Sequence, residues 1–163
     1  MKTLFALSIL SLCSLALAAA PDPCKLLAPG EVKSGLGAPA VTAKPATDQD
    51  NPTCNFDFNE GSLMVQVISP ATKVLQGKYL LTVLTSGEST FKGLKPVVGL
   101  GSEAVGVGGS EVNSGVPQDS AVLFVHKGDT VVMLWAVDSN HTASKVNMAS
   151  VTLLAKRALL RLH

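Results

Sequence analysis

Alternation of apolar and polar residues is clearest at Cys54-Asn55-Phe56-Asp57-Phe58. It returns, after Asn59-Glu60-Gly61-Ser62, at Leu63-Met64-Val65-Gln66-Val67-Ile68. Period two on both sides of a glycine-containing turn predicts a β-hairpin. Residues 121–126 and 130–137, joined by Lys127-Gly128-Asp129, are apolar at successive positions and include Phe124, Met133 and Trp135. A run apolar on both faces predicts central strands covered on two sides, or on one side by a helix and on the other by a partner. Glycine clusters around residues 103–107 predict a short strand between turns, and the polar residues 110–119 predict a flexible loop.

Helical signals occupy three places. Pro29 stands where a first helical residue should, Glu31 suits the positive end of the helix dipole, and Gly37 is a C-terminal stop. Leu27, Val32 and Leu36 would dock that short helix. Across residues 71–84, Pro70 and the spacing of Val74, Leu75, Lys78, Tyr79 and Thr82 favour a helix. Gly77 weakens it, and residues 79–84 also read as a strand. From Asp138 the period changes to that of a helix, capped by Ser139, Asn140 or Thr142 and running to about Leu162. Met148, Val151, Ala155, Ala158, Leu159 and Leu162 form the stripe expected to lie on the sheet. Val146, Ala149, Leu153 and Leu160 form a second stripe, so the helix is either wedged between two surfaces or leaves this strip as a candidate interaction face for a partner; a homodimer is a separate expectation. The expected fold is α+β: an antiparallel sheet of about five strands, a short N-terminal helix, a middle helix and a long C-terminal helix packed on the sheet.

The N-terminus alters how the rest is read. Lys2 precedes residues 4–17, an apolar run broken only by Ser and Cys, and Ala16-Leu17-Ala18 supplies a small-x-small site. This is the pattern of a secretory signal peptide, too short to span a membrane, over residues 1–18, with cleavage after Ala18 or Ala19. Residues 19–163 then form a single domain of about 145 residues with no integral membrane segment. Losing Lys2 takes 13 basic residues to 12, against 12 acidic. A neutral chain gives no reason to expect nucleic acid as a partner. Cys13 leaves with the signal; Leu12 before it does not suit a lipidation site. Two cysteines remain, Cys24 and Cys54, and allow one disulfide. It would staple the proline-rich residues 38–53, which have little hydrophobic pattern of their own. The expected location is periplasmic or secreted.

No catalytic pattern outweighs its structural explanation. Gly99-Leu100-Gly101-Ser102-Glu103-Ala104 imitates a dinucleotide fingerprint, but the adjoining Val105-Gly106-Val107-Gly108-Gly109 is glycine-rich and β-branched rather than helical, so it reads as a turn. His126 and His141 flank the last hairpin near Asp129 and Asp138 and are weak candidates for a metal site, which needs three convergent ligands. No metal or other cofactor is expected. Asp57 and Glu60 share a hairpin, where alternation and turn position account for them. Asn140-His141-Thr142 fits a glycosylation acceptor. One Trp and one Tyr offer no aromatic platform for bases or sugars.

Pro23-Cys24-Lys25-Leu26-Leu27, Leu36-Gly37, Cys54-Asn55-Phe56, the Gly99–Ala104 turn, Lys127-Gly128-Asp129 and Ala155-Lys156-Arg157-Ala158-Leu159-Leu160 succeed one another along the chain. In that order the chain resembles a group of small exported bacterial envelope proteins and lipoproteins of unknown function, best known from actinobacteria. Ser102 stands where that pattern has Asp. The resemblance implies a two-cysteine α+β envelope domain and transfers no catalytic residue. The expected function is a non-enzymatic envelope or secreted binding module whose partner is a protein or envelope component. The alternatives are an inhibitor of a secreted hydrolase, presenting residues 110–120 as a reactive loop, and a hydrolase using His126 or His141.

Overall fold

The computed structural model describes residues 20–86, 91–113, 115–139 and 145–162. The segment expected to be a signal peptide, with Cys13, the Asn140-His141-Thr142 sequence expected to be an acceptor, and His163 lie outside them. Among the described residues seven strands form one antiparallel sheet: β1 (Thr42–Asp48), β2 (Asn51–Phe58), β3 (Gly61–Ile68), β4 (Lys95–Pro96), β5 (Glu103–Asn113), β6 (Val116–Lys127) and β7 (Thr130–Ser139). Their spatial order is β1-β2-β3-β7-β6-β5-β4. Four α-helices among the described residues accompany them: α1 (Pro29–Leu36), α2 (Thr72–Leu75), α3 (Leu80–Thr85) and α4 (Met148–Leu160).

The fold is α+β as expected, but with seven strands rather than about five. β1 lies in the proline-rich stretch, and all its residues are exposed. It has no apolar face to reveal it, and the ladder to β2, from Thr42↔Asp57 to Asp48↔Asn51, holds it. Gln49 and Asp50, both at positive φ, make the two-residue turn, the geometry that matches strand twist in a tight hairpin. The expected loop at 110–119 is instead the outer half of the β5–β6 hairpin, with Ser110 opposite Asp119 and Glu111 opposite Gln118. Backbone pairing does not require apolar side chains. A reactive loop over residues 110–120 is therefore replaced by two paired strands.

The helices differ from expectation too. The middle helix is broken into α2 and α3 at Gln76 and Gly77, both at positive φ. β7 continues through Asp138 and Ser139, so the C-terminal helix has 13 residues and starts at Met148, not near residue 140. Its N-cap is Asn147, whose side chain accepts from the Ser150 N–H at 3.1 Å. α1 starts at Pro29 and ends at Gly37 in the left-handed conformation, φ 68°.

The sheet is apolar on both faces. Phe56, Leu63, Val65, Leu123, Val125 and Leu134 point to one side, where they meet Val32 and Leu36 of α1 and Val151, Leu154 and Ala155 of α4. Val105, Val122, Phe124, Val131 and Met133 point to the other and meet Leu75 and Leu80 of α2 and α3 and Leu94. Cys24, in a 3-10 turn at Pro23–Lys25, is bonded to Cys54 on β2, with Cα atoms 5.0 Å apart. Charged side chains tie helix ends to the sheet. Lys127 Nζ donates to the Leu159 carbonyl at the end of α4 (2.6 Å). Glu103 accepts from the N–H groups of Leu80 and Leu81 at the start of α3 (2.7 and 3.1 Å).

Candidate functional site

Glycine is rare inside strands because it packs nothing, and its presence there marks close approach of another group. β5 carries Gly106, Gly108 and Gly109 in four residues. A Cβ at Gly106 would lie 2.5 Å from the Met148 methyl carbon and 2.8 Å from the Val122 carbonyl oxygen. At Gly108 it would lie 2.9 Å from Met148 Cγ. The first turn of α4 thus rests on bare β5 backbone, and beside that contact opens a cleft of about 730 Å³. Val97, Met148, Ala149 and Thr152 line it, with Lys95 as its charged group.

A second cleft, of about 470 Å³, opens on the opposite face of the same strand. α2 and α3 cover only part of that face. In the remainder Phe91 sets its ring edge-on to Phe124 and to Trp135, with centroids 5.5 Å apart in each pair. Trp135, the single tryptophan, is 36 % exposed there. Val107, Val122 and Val137 complete the apolar floor; Lys92, Glu111 and Gln118 stand around it. Scarce aromatic residues are thus concentrated at one place, a concentration that composition alone does not reveal. The two clefts share Val107 and Gly108.

The residues singled out from sequence are distributed differently. Ala149 lines the glycine-floored cleft, and together with Leu153 a shallower one beside α1. Leu160 is exposed at the far end of α4, whereas Val146 is buried in the core and leaves the proposed strip. His126 is half-buried, and its Nε2 lies 2.9 Å from the Gly128 carbonyl. His141 lies outside the described residues, among which no three His, Cys, Asp or Glu side chains converge on a metal-sized site. Asp57 is paired with Lys44 across β1 and β2 at 2.9 Å. The Gly99–Ala104 segment is a bend leading into β5; Gly99 and Gly101 adopt positive φ, and a Cβ at Gly101 would strike the His126 carbonyl oxygen. Sequence reading missed Phe91 and Lys92, which lie in a stretch with no periodicity. The β5 glycines are visible in the sequence, where they read as turn signals.

A bidentate ion pair lies elsewhere, between α1 and the end of α4. Arg161 grips Glu31 with both terminal nitrogens (2.6 and 2.9 Å) and also donates to the Leu26 carbonyl. Its hydrogen bonds, with one from the Ala28 N–H, hold the Glu31 carboxyl at about 2, down from 4.5.

No family model matches the chain, and no curated protein matches it. Among solved structures it is similar to LpqN, involved in cell envelope biogenesis of Mycobacterium tuberculosis. The identity is 18 %, over 74 % of this chain and 84 % of that one, with a TM-score of 0.34. No helix among the described residues is long and apolar enough to cross a membrane.

Proposed function

We propose that this chain is an exported, non-enzymatic module that binds a protein or envelope component at the clefts flanking β5. The observation that carries the reading is the aromatic cleft: a solvent-accessible Trp135 with Phe91 against its ring, on a sheet face that the helices leave half covered. Apolar floors with a few polar groups at the margin are what recognition sites present, and exposed aromatic side chains are their usual anchors. The Cys24–Cys54 bridge supports export, since such bonds persist in oxidising compartments. The N-terminal charge, apolar run and small-x-small site support it as well.

Trp135 provides its own test. Protein, lipid and glycan fractions of envelope extract are titrated into the purified protein while its emission is followed. One fraction should shift the emission to the blue, and Trp135→Ala should weaken binding of the active component about tenfold, as for a moderate anchor. Binding that leaves the emission unchanged and tolerates Trp135→Ala would remove the cleft as the site.

A further inference from the structure

The binding role just proposed, on which this inference rests, leaves the class of ligand open, and the backbone of β5 narrows it. In an antiparallel strand both backbone groups of one residue face one neighbour, and those of the next residue face the other. The two-residue turn between β6 and β7 makes Lys127 and Thr130 a hydrogen-bonded pair. Carried through the register, this parity turns Glu103, Val105, Val107 and Gly109 toward β6. Ala104, Gly106, Gly108 and Ser110 then face outward. The bond from the Val97 N–H to the Ala104 carbonyl, 2.8 Å, agrees. β4 pairs only with Val105 and Gly106. Beyond it, among the described residues, no strand meets the outward N–H and C=O groups of Gly108 and Ser110.

An open edge is a template for another strand, and folded proteins usually blunt it. β1, at the other side of the sheet, is blunted. The same parity gives its outward positions to Ala43, Pro45 and Thr47, so proline removes the middle donor, and Lys44 next to it is charged. The exposed Gly108-Gly109-Ser110 stretch of β5 carries neither proline nor charge. The two clefts flank this same stretch, one on each face. A strand sends successive side chains to opposite faces, so a guest laid along β5 would place them alternately in the aromatic cleft and in the glycine-floored one.

We propose that β5 accepts an extended polypeptide segment of a partner protein as an additional antiparallel strand. Its apolar side chains enter the two clefts in turn. Its C-terminal end points at β4, with an acidic side chain or terminal carboxylate beside Lys92 and Lys95. Charge fixes that polarity: Lys92 and Lys95 border the clefts close to where β4 blocks the edge, and Glu111 stands further along β5. Main-chain pairing with pockets for alternate side chains is a general mode of peptide capture.

The probe is a library of random peptides displayed with free C-termini, selected on the full disulfide-bonded protein, the most enriched peptide then being synthesised. Enriched sequences should carry apolar residues at every second position and an acidic or terminal carboxylate end. Amide exchange in the wild-type protein should be fast at Gly108 and Ser110 and slow at Val107 and Gly109. The peptide should slow Gly108 and Ser110 at least about tenfold, equivalent to 1.4 kcal/mol. Ser110→Pro removes an outward donor while sparing the backbone bonds to β6 and should weaken binding about tenfold; Ser110→Ala, which keeps that donor and loses the same Oγ bond to Asp119, should lose far less. No enrichment, unchanged exchange at Gly108 and Ser110, or a Ser110→Pro variant that folds and binds fully would overturn the proposal. So would a dimer, formed without peptide, that protects the same amides, because the occupant would then be a second copy. An envelope fraction that shifts Trp135 emission without protecting these amides would leave the binding module standing and remove only the strand-addition mode.

Discussion

Glu31 shows how one side chain can carry information that no motif announces. Its place in the first turn of α1 is legible as a dipole effect, but its principal partner, Arg161, is 130 residues away. The pair joins the two helices that cover one face of the sheet. Because the folded carboxyl titrates at about 2 and an ordinary one near 4.5, the unfolded chain binds the proton first as pH falls. The stabilisation is therefore complete above pH 4.5 and drains away between 4.5 and 2. Glu31→Gln should cost about 1–2 kcal/mol at neutral pH, less than the full shift would suggest because the pair is partly exposed to water. Thermal melts of both proteins across that range should show the gap narrowing as pH drops. A gap that stays constant with pH would mean the pair contributes packing and neutral hydrogen bonds rather than charge.

At the scale of elements, what could be read from the sequence depended on whether an element has an apolar face. The β2–β3 hairpin and α1 bury side chains at a fixed period, and the two-sided β6 and β7 stand out as unbroken apolar runs; both signals are visible in the sequence. β1 and the outer half of the β5–β6 hairpin bury almost nothing; their strands exist because backbone groups pair with a neighbour that the sequence does not name. α3 is a related case. Its six residues are too few to nucleate alone, and its first N–H groups are capped from another strand by Glu103. Sequence reading placed Glu103 in a short strand and gave it no partner. Glu103→Ala should cost about 1–2 kcal/mol, the range for charge-assisted bonds to helix N–H groups. It should also speed amide exchange at Leu80 and Leu81 selectively. Glu103→Gln, which keeps an acceptor, should recover part of the loss; equal exchange in all three proteins would mean that packing of Leu80 alone holds α3. The candidate site obeys the same logic: its glycines were visible, but their role depends on Met148, brought over them by α4.

For the whole molecule, the Cys24–Cys54 bridge joins the N-terminal turn to β2 and encloses α1 and β1 within one covalent loop of 30 residues' separation. β1 is the part of that loop with least support, exposed on both faces and opposite Cys54 at Pro45. Removing the bridge releases unfolded-chain entropy worth about 3–4 kcal/mol in the loop-closure model. A Cys24→Ala, Cys54→Ala double variant should therefore melt well below the wild type, with β1 amides exchanging fastest and those of β7, in the middle of the sheet, slowest. The same bond links the fold to its compartment. Intact mass of the protein purified from its native cells should show an N-terminus immediately after Ala18 or Ala19, and reductant should add the mass of two hydrogen atoms. A chain that keeps its first residues would withdraw the cleaved signal, and one that gains no mass on reduction would withdraw the disulfide; either removes a support of the export on which the binding role depends. If the bridge and cleavage are found but the double variant melts like the wild type, the disulfide marks the compartment without supporting the fold, and β1 must be held by its ladder to β2 alone.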